Sequence, residues 1–163
     1  MTTMPSTKQN VFVLGVREGR TREPLDILGE EVLVKLASAD TTGAAAVFSL
    51  EVPPMSGPPL HRHSREDEWF FILDGEITAE IDGCRTVLHA GDSAFAPRGT
   101  AHTFQNFDSV TGRMLVMVTP GASFQQFFEE LSSLNKGLPA PDLVRTEQLM
   151  KDYGLELLGP PLS

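Results

Sequence analysis

The chain has 163 residues, 40% of them hydrophobic, which is enough to build one core in a single domain, residues 1–163, without covalent staples. Thirteen Lys and Arg against twenty-two Asp and Glu give a net charge of −9, which repels phosphate backbones and anionic membranes and argues against nucleic-acid or membrane partners. The single cysteine, Cys84, rules out an internal disulfide; no segment approaches a membrane span, and residues 1–7 lack a basic run followed by an apolar stretch, so the expected location is cytoplasmic.

From residue 11 to about 119 the chain is a series of short apolar runs, β-branched or aromatic, cut by Gly, Pro and Asp. That pattern predicts strands at 11–14, 31–37, 45–52, 68–73, 76–81, 85–88, 93–96, 102–106 and 114–118. Asp74-Gly75 and Asp82-Gly83 are strong hairpin dipeptides between such runs. Many short strands at close spacing predict an all-β sandwich or barrel, and a small jelly roll hides most of its edges.

The pattern changes after Pro120, where a helical extension of about 123–163 begins. Ser123-x-x-Gln126 reads as a capping box, and Phe124, Phe127, Phe128, Leu131 and Leu134 recur at helical spacing until Asn135-Lys136-Gly137 stops the helix. A second helix is expected between Asp142 and Tyr153, ended by Gly154. The apolar stripe of the first helix needs a hydrophobic seat, expected on the outer face of the barrel; the alternative is a contact in a homodimer.

The chemistry concentrates between Gly57 and Asn106. His61 and His63 stand two apart, so on a strand both imidazoles point to one face. An acidic run, Glu66-Asp67-Glu68, follows, and His102 comes later in the same region. Imidazole nitrogens with one carboxylate oxygen suit a divalent first-row transition metal. Buried together without an ion, they would strand polar atoms. Glu66 shares the parity of Glu68 and is the alternative carboxylate, although a solvated turn explains Glu66 and Asp67 equally simply. His89, without a spaced partner, reads as a satisfied core or surface residue, and Asn106 as a turn-fixing one. Gly75, Gly91 and Gly99 are expected to serve positive φ or close backbone approach, and Pro97 a rigid turn. HExxH, CxxC, P-loop and GxGxxG patterns are absent, which leaves zincin, dithiol and nucleotide chemistry without support.

The spacing His-x-His-x4-Glu-x6-Gly is met by His61, His63, Glu68 and Gly75, and Gly-x5-Pro-x-Gly-x2-His-x3-Asn by Gly91, Pro97, Gly99, His102 and Asn106. Nine positions in register on two motifs resemble the cupin superfamily. One departure is Gly57, three residues before His61 where the first motif usually opens five residues before, in a segment held extended by prolines at 53, 54, 58 and 59. The resemblance implies a double-stranded β-helix, a jelly-roll barrel over about 11–119 with the C-terminal helices packed outside. It also implies one divalent metal (Fe, Mn, Ni, Co, Cu or Zn) on His61, His63, Glu68 and His102, and it selects Glu68 over Glu66. By parity with these ligands, Phe70, Ile72 and Phe104 should line a substrate pocket, and Trp69 should face outward.

The run HRHSREDEWFFILDGE is similar to the small bacterial proteins related to quercetin 2,3-dioxygenase. That likeness implies a dioxygenase acting on a small apolar or aromatic enolisable substrate, with Glu68 as ligand and base. The same motifs serve isomerases, cyclases and non-catalytic small-molecule-binding proteins, which stay open as alternatives.

Overall fold

A computed structural model describes residues 11–163. In chain order it contains β1 (Leu25–Ile27), β2 (Glu30–Leu36), a short 3-10 turn (Ser38–Thr41), β3 (Ala46–Val52), β4 (His61–His63), β5 (Asp67–Asp74), β6 (Glu76–Ile81), β7 (Cys84–His89), β8 (Ser93–Ala96), β9 (His102–Gln105) and β10 (Gly112–Thr119). The helices α1 (Ala122–Asn135) and α2 (Leu143–Asp152) follow, and a last short strand, β11 (Leu155–Leu157), closes the chain.

The strands form two antiparallel sheets, one of order β1-β2-β3-β10-β5-β8 and one of order β11-β4-β9-β6-β7. This is the jelly-roll architecture. Residues alternate strictly along the central strands: β10 reads buried at Met114, Val116 and Val118 and half-buried between them. Val116 stands opposite Phe48 on β3 and Phe70 on β5, so one inward layer is Phe-Val-Phe across three strands. Val32, Val34, Leu50, Val52 and Ile72 extend that layer, and Ile77, Ala79 and Phe104 face it from the second sheet. Burying one such side chain stabilises by about 1.5–3 kcal/mol, which makes this interior the dominant favourable contribution.

Most predicted elements are present, and the departures have local causes. Residues 11–14 form no strand: Val11 and Val13 are almost fully exposed, with neither a partner strand nor a surface to bury them. Residues 1–7, read above for a targeting signal, lie outside the described residues. Asp82-Gly83 joins β6 to β7 as a two-residue hairpin, both residues at positive φ. Asp74-Gly75 closes no hairpin, because β5 and β6 belong to different sheets and the chain crosses between them there.

The start of α1 is not the expected capping box. Its N-cap is Gly121, with no side-chain cap. A Cβ at 121 would lie 2.3 Å from the Ala45 and Ala46 backbone, so close packing against β3 sets where the helix begins. In α2, which starts where expected, the side chain of Asp142 caps the Arg145 N–H.

Both helices lie outside the sheets, but the apolar stripe of α1 is turned toward the interior rather than laid on an outer sheet face. Phe124, Phe127, Phe128 and Leu131 are buried, and the rings of Phe124 and Phe128 meet Phe48 edge-on at 5.8 and 5.0 Å. The helix thus roofs the open side of the sandwich.

Candidate metal centre

Four side chains converge inside the sandwich from both sheets. His61 and His63 come from β4, His102 from β9, where it pairs with His61, and Glu68 from β5 of the opposite sheet. Alternation places both β4 histidines inward and turns Arg62 out to an ion pair with Glu156. Asp67 and Glu68 divide in the same way: Glu68 points in, while Asp67 binds the Arg98 guanidinium through both oxygens at 2.9 and 3.0 Å. That surface pair, which holds the Asp67 carboxyl down to about 2, ties the first motif to the second. All four inward residues are buried, and one ligand atom from each lies within 4.8 Å of the others.

The histidines are aimed by what lies behind them. His61 Nδ1 donates to the Pro59 carbonyl at 2.7 Å and His102 Nδ1 to the Thr100 carbonyl at 2.9 Å, so Nε2 of each ring is turned to the centre. His61 Nε2 stands 3.1 Å from His63 Nε2, His102 Nε2 2.7 Å from Glu68 Oε2, and His63 Nε2 3.4 Å from the same oxygen. Donors occupying adjacent positions about 2.1 Å from one ion stand about 3 Å apart, so these separations have the scale of a coordination shell.

The electrostatics are those of a shared cation site. Burial opposes the charge of Glu68, but the charges of His63, His102 and His61 and the hydrogen bond from His102 outweigh it and bring the carboxyl down to about 2. Burial likewise opposes charging His102, yet its bond to Glu68 and the charge there raise its pKa. His61 is pushed down to about 3, by burial first and then by the neighbouring rings, and is neutral near pH 7. A proton held between His102 and Glu68 answers one of the close approaches and leaves the others. One divalent ion at the centre answers all three, and the mixed imidazole and carboxylate donor set suits a transition metal. His61, His63, Glu68 and His102 are therefore a group that can hold a metal ion.

The remaining candidates fall elsewhere. His89 sits on β7, exposed beside Glu76 and Asp92. Asn106 is fully buried and fixes a turn, its amide donating to the carbonyls of Val52 and Val110 at 2.8 Å. Gly75, Gly91 and Gly99 all adopt positive φ. Trp69 faces out and stacks on Phe71. Glu66, left to a solvated turn once the resemblance selects Glu68, is instead almost fully buried behind His63, with Oε2 3.5 Å from His63 Nδ1.

The cluster opens into a cavity of about 750 Å³. Phe70, Phe104, Leu50, Val116, Phe124 and Phe128 are among its walls, and His61, His102 and Glu68 reach it. Ile72, expected beside Phe70, is fully buried in the core and is not part of the wall. Sequence parity also missed two contributions. One is the roof supplied by α1, whose Phe124 ring stacks on His63 at 5.1 Å. The other is Glu30, at the start of β2, a buried carboxyl on the cavity wall that accepts a hydrogen bond from Ser56 at 2.9 Å. Burial pushes its pKa up to about 7 against that hydrogen bond. Among the described residues no Lys or Arg lines the cavity.

The cupin domain family matches residues 48–118, a span that contains both motifs and all four clustered residues. Residues 48–118 are a cupin domain. This cupin is 29% identical over 119 residues to quercetin 2,3-dioxygenase of Bacillus subtilis, a match covering 71% of this chain and 35% of that protein, so it spans about a third of the enzyme's length. It is also 29% identical over 92 residues to an oxalate-binding protein of Thermotoga maritima, covering 55% of this chain and 76% of that one. Among solved structures, a predicted oxalate decarboxylase from Thermotoga maritima superposes with a TM-score of 0.53 at 26% identity, over 55% of this chain and 79% of that one. An RmlC-like cupin from Shewanella frigidimarina, at a TM-score of 0.56 and 21% identity over 69% of this chain and 92% of that one, bears on the fold alone.

Proposed function

We propose that this cupin is a mononuclear, metal-dependent oxidoreductase, a dioxygenase acting on a small apolar or aromatic enolisable substrate in the cytoplasm. The observation that carries the reading is the joining of two unlike features in one cavity: a four-residue donor cluster at one end and walls of Phe, Leu and Val elsewhere. His61, His63, Glu68 and His102 would hold the ion. A bound divalent metal would supply Lewis-acid polarisation of a substrate oxygen and one-electron chemistry with dioxygen.

The protein's own part is to bind, orient and move a proton. The aromatic wall takes up a planar apolar body and excludes water from the reacting end. Glu68, kept ionised and open to the cavity, takes the proton of an enolisable hydroxyl, and His102 at 2.7 Å steadies the carboxylate that does so. Glu30 presents a second carboxyl on the wall, which its raised pKa leaves partly protonated near neutrality and able to donate to a substrate oxygen.

The likeness to an oxalate-binding protein raises a second reading, a non-catalytic binding module, and the same motifs also serve metal-dependent isomerases and cyclases. The cavity weighs against a small dianion as its occupant. Glu30, Glu68 and Glu147 line it with no Lys or Arg among the described residues, so a dicarboxylate would find only the metal end to oppose its charge.

The test loads wild type and Glu68→Gln separately with Fe(II), Mn(II), Ni(II) and Co(II), matches occupancy, and follows dioxygen uptake with flavonols and related aromatic enols. A loss of about a hundred- to ten-thousand-fold in the variant at equal metal content supports a dioxygenase with Glu68 as base. Equal rates remove Glu68 from the chemistry. No uptake with any pair moves the reading to an isomerase, cyclase or binding module.

We also propose a homodimer. With the Phe stripe of α1 committed to the cavity, an apolar surface open to a second copy is the outward face of the six-stranded sheet. There Trp69, Phe71, Leu115 and Met117 are half-buried and Phe95 is exposed.

A further inference from the structure

We propose that Glu66 is the positioning residue of the metal site: it holds the proton of His63 on Nδ1 and so presents the Nε2 lone pair to the ion. The inference rests on the cluster being a metal site and adds to it a fifth residue, which the cupin motifs do not contain.

Three observations converge. First, Glu66 is almost fully buried, and neither of its oxygens has a hydrogen-bond partner among the described residues. A buried carboxyl group without partners is costly and is retained where some neighbour uses it. Second, the neighbour is His63, whose Nδ1 is also buried without a hydrogen bond and lies 3.5 Å from Glu66 Oε2. Third, the other two histidines of the cluster have their Nδ1 atoms engaged by backbone carbonyls, of Pro59 and Thr100. His63 has no such carbonyl, and Glu66 stands where one would be.

A ligating imidazole must offer one bare nitrogen, so as a ligand the ring keeps a single proton, and there are two places for it. On Nε2 it would bridge to His61 Nε2, 3.1 Å away, which occupies the nitrogen that an ion needs and leaves the buried Nδ1 beside Glu66 Oε2 with no proton of its own. On Nδ1 it serves Glu66, and the Nε2 lone pairs of His61, His63 and His102 all point at the centre. The second arrangement is the one a cation completes. Phe124, stacked on the ring at 5.1 Å, limits its tilt, so Glu66 governs rotation and tautomer while Phe124 governs plane. A carboxylate accepting from Nδ1–H would also make that imidazole a stronger donor than its two carbonyl-backed partners.

The experiment compares metal-free wild type, Glu66→Gln and Glu66→Leu in two measurements: titration with Co(II) followed by absorption, and long-range 1H–15N spectra that report the protonated nitrogen of His63. Wild type is expected to carry the His63 proton on Nδ1. Glu66→Leu should raise the Co(II) dissociation constant about 10- to 100-fold and shift the His63 proton toward Nε2. Glu66→Gln, whose amide oxygen can accept from Nδ1–H, should recover much of both. Equal Co(II) affinity in wild type and Glu66→Leu overturns the proposal while leaving the metal site standing. Thermal melting of the metal-free proteins identifies a merely structural role: a lowered melting temperature with unchanged affinity and tautomer contradicts the proposal. Should Glu66→Leu fail to fold, a bare Nδ1 on His63 in wild type overturns it alone. Failure of wild type to take up Co(II) rejects the metal reading and this inference together.

Discussion

Glu68 on the six-stranded sheet and His102 on the five-stranded sheet meet at 2.7 Å, the closest approach in a cluster that joins the two layers of the sandwich from inside. Neither residue's neighbours along its own strand require that meeting. It places two polar groups in the middle of an apolar interior, a cost offset by their pairing with each other or with a shared ion.

His102→Ala should therefore lower metal content sharply while the far-ultraviolet circular dichroism stays that of a β protein. The apolar layer around Phe48, Val116 and Phe70 does not depend on the ion. Loss of fold in that variant would make the site a structural clip and weaken the catalytic reading.

Metal uptake should also displace the proton that Glu68 and His102 share. Because that pairing raises the pKa of His102, apparent affinity should climb as pH rises through and above the usual histidine range, with proton release on binding. Calorimetry in buffers of different ionisation enthalpy measures that release. Affinity independent of pH between 6 and 8, to the precision of about twofold, would remove the proton from the site.

Glu30 gives a stability prediction of defined sign. Its pKa is raised to about 7, so between the unfolded value and about 7 the folded protein binds more protons than the unfolded chain. Its stability contribution is intact below the unfolded value and declines as pH rises through about 7, by at most about 3 kcal/mol. Urea denaturation of wild type at pH 5 and pH 8, against Glu30→Gln at the same two values, isolates it. The variant should lose part of the alkaline decline, and an identical pH dependence in both proteins would contradict the assignment.

Phe124→Ala removes the ring that packs on Phe48, Phe127, Phe128 and His63. A destabilisation of about 3 kcal/mol is expected from the lost burial and the cavity left behind. The sheets should persist while α1 loosens, so protease sensitivity should rise first in residues 122–135.

Phe95→Glu places a charge on the exposed apolar sheet face without touching the interior. Light scattering should show a dimer for wild type and a mass near 17.8 kDa for the variant. A wild-type mass already at the monomer value sets the dimer aside.

The strands and the metal-binding candidates were legible because both follow local rules. Alternation at His61, His63 and Glu68, and again through β10, marks one inward face, and motif spacing singles out His102. What escaped depends on partners distant in the chain. The three-residue strands β1 and β11 are too short to show a period and exist because β2 and β4 offer them edges. Residues 11–14 carry a strand-like composition but find no edge. Asp74-Gly75 has hairpin chemistry, yet the sheet to which the next strand belongs decides its use. The Ser123 capping box loses to the contact of Gly121 with β3. Glu66 and Glu68 share parity, and only the folded loop shows one carboxylate behind His63 and the other in front.

The most direct test of the account is diffraction from metal-loaded crystals at the absorption edge of the bound element. One anomalous peak is expected, with Nε2 of His61, His63 and His102 and one oxygen of Glu68 about 2.0 to 2.3 Å from it. A peak ligated by Glu66 or His89 in place of these, or no peak after loading, would contradict it.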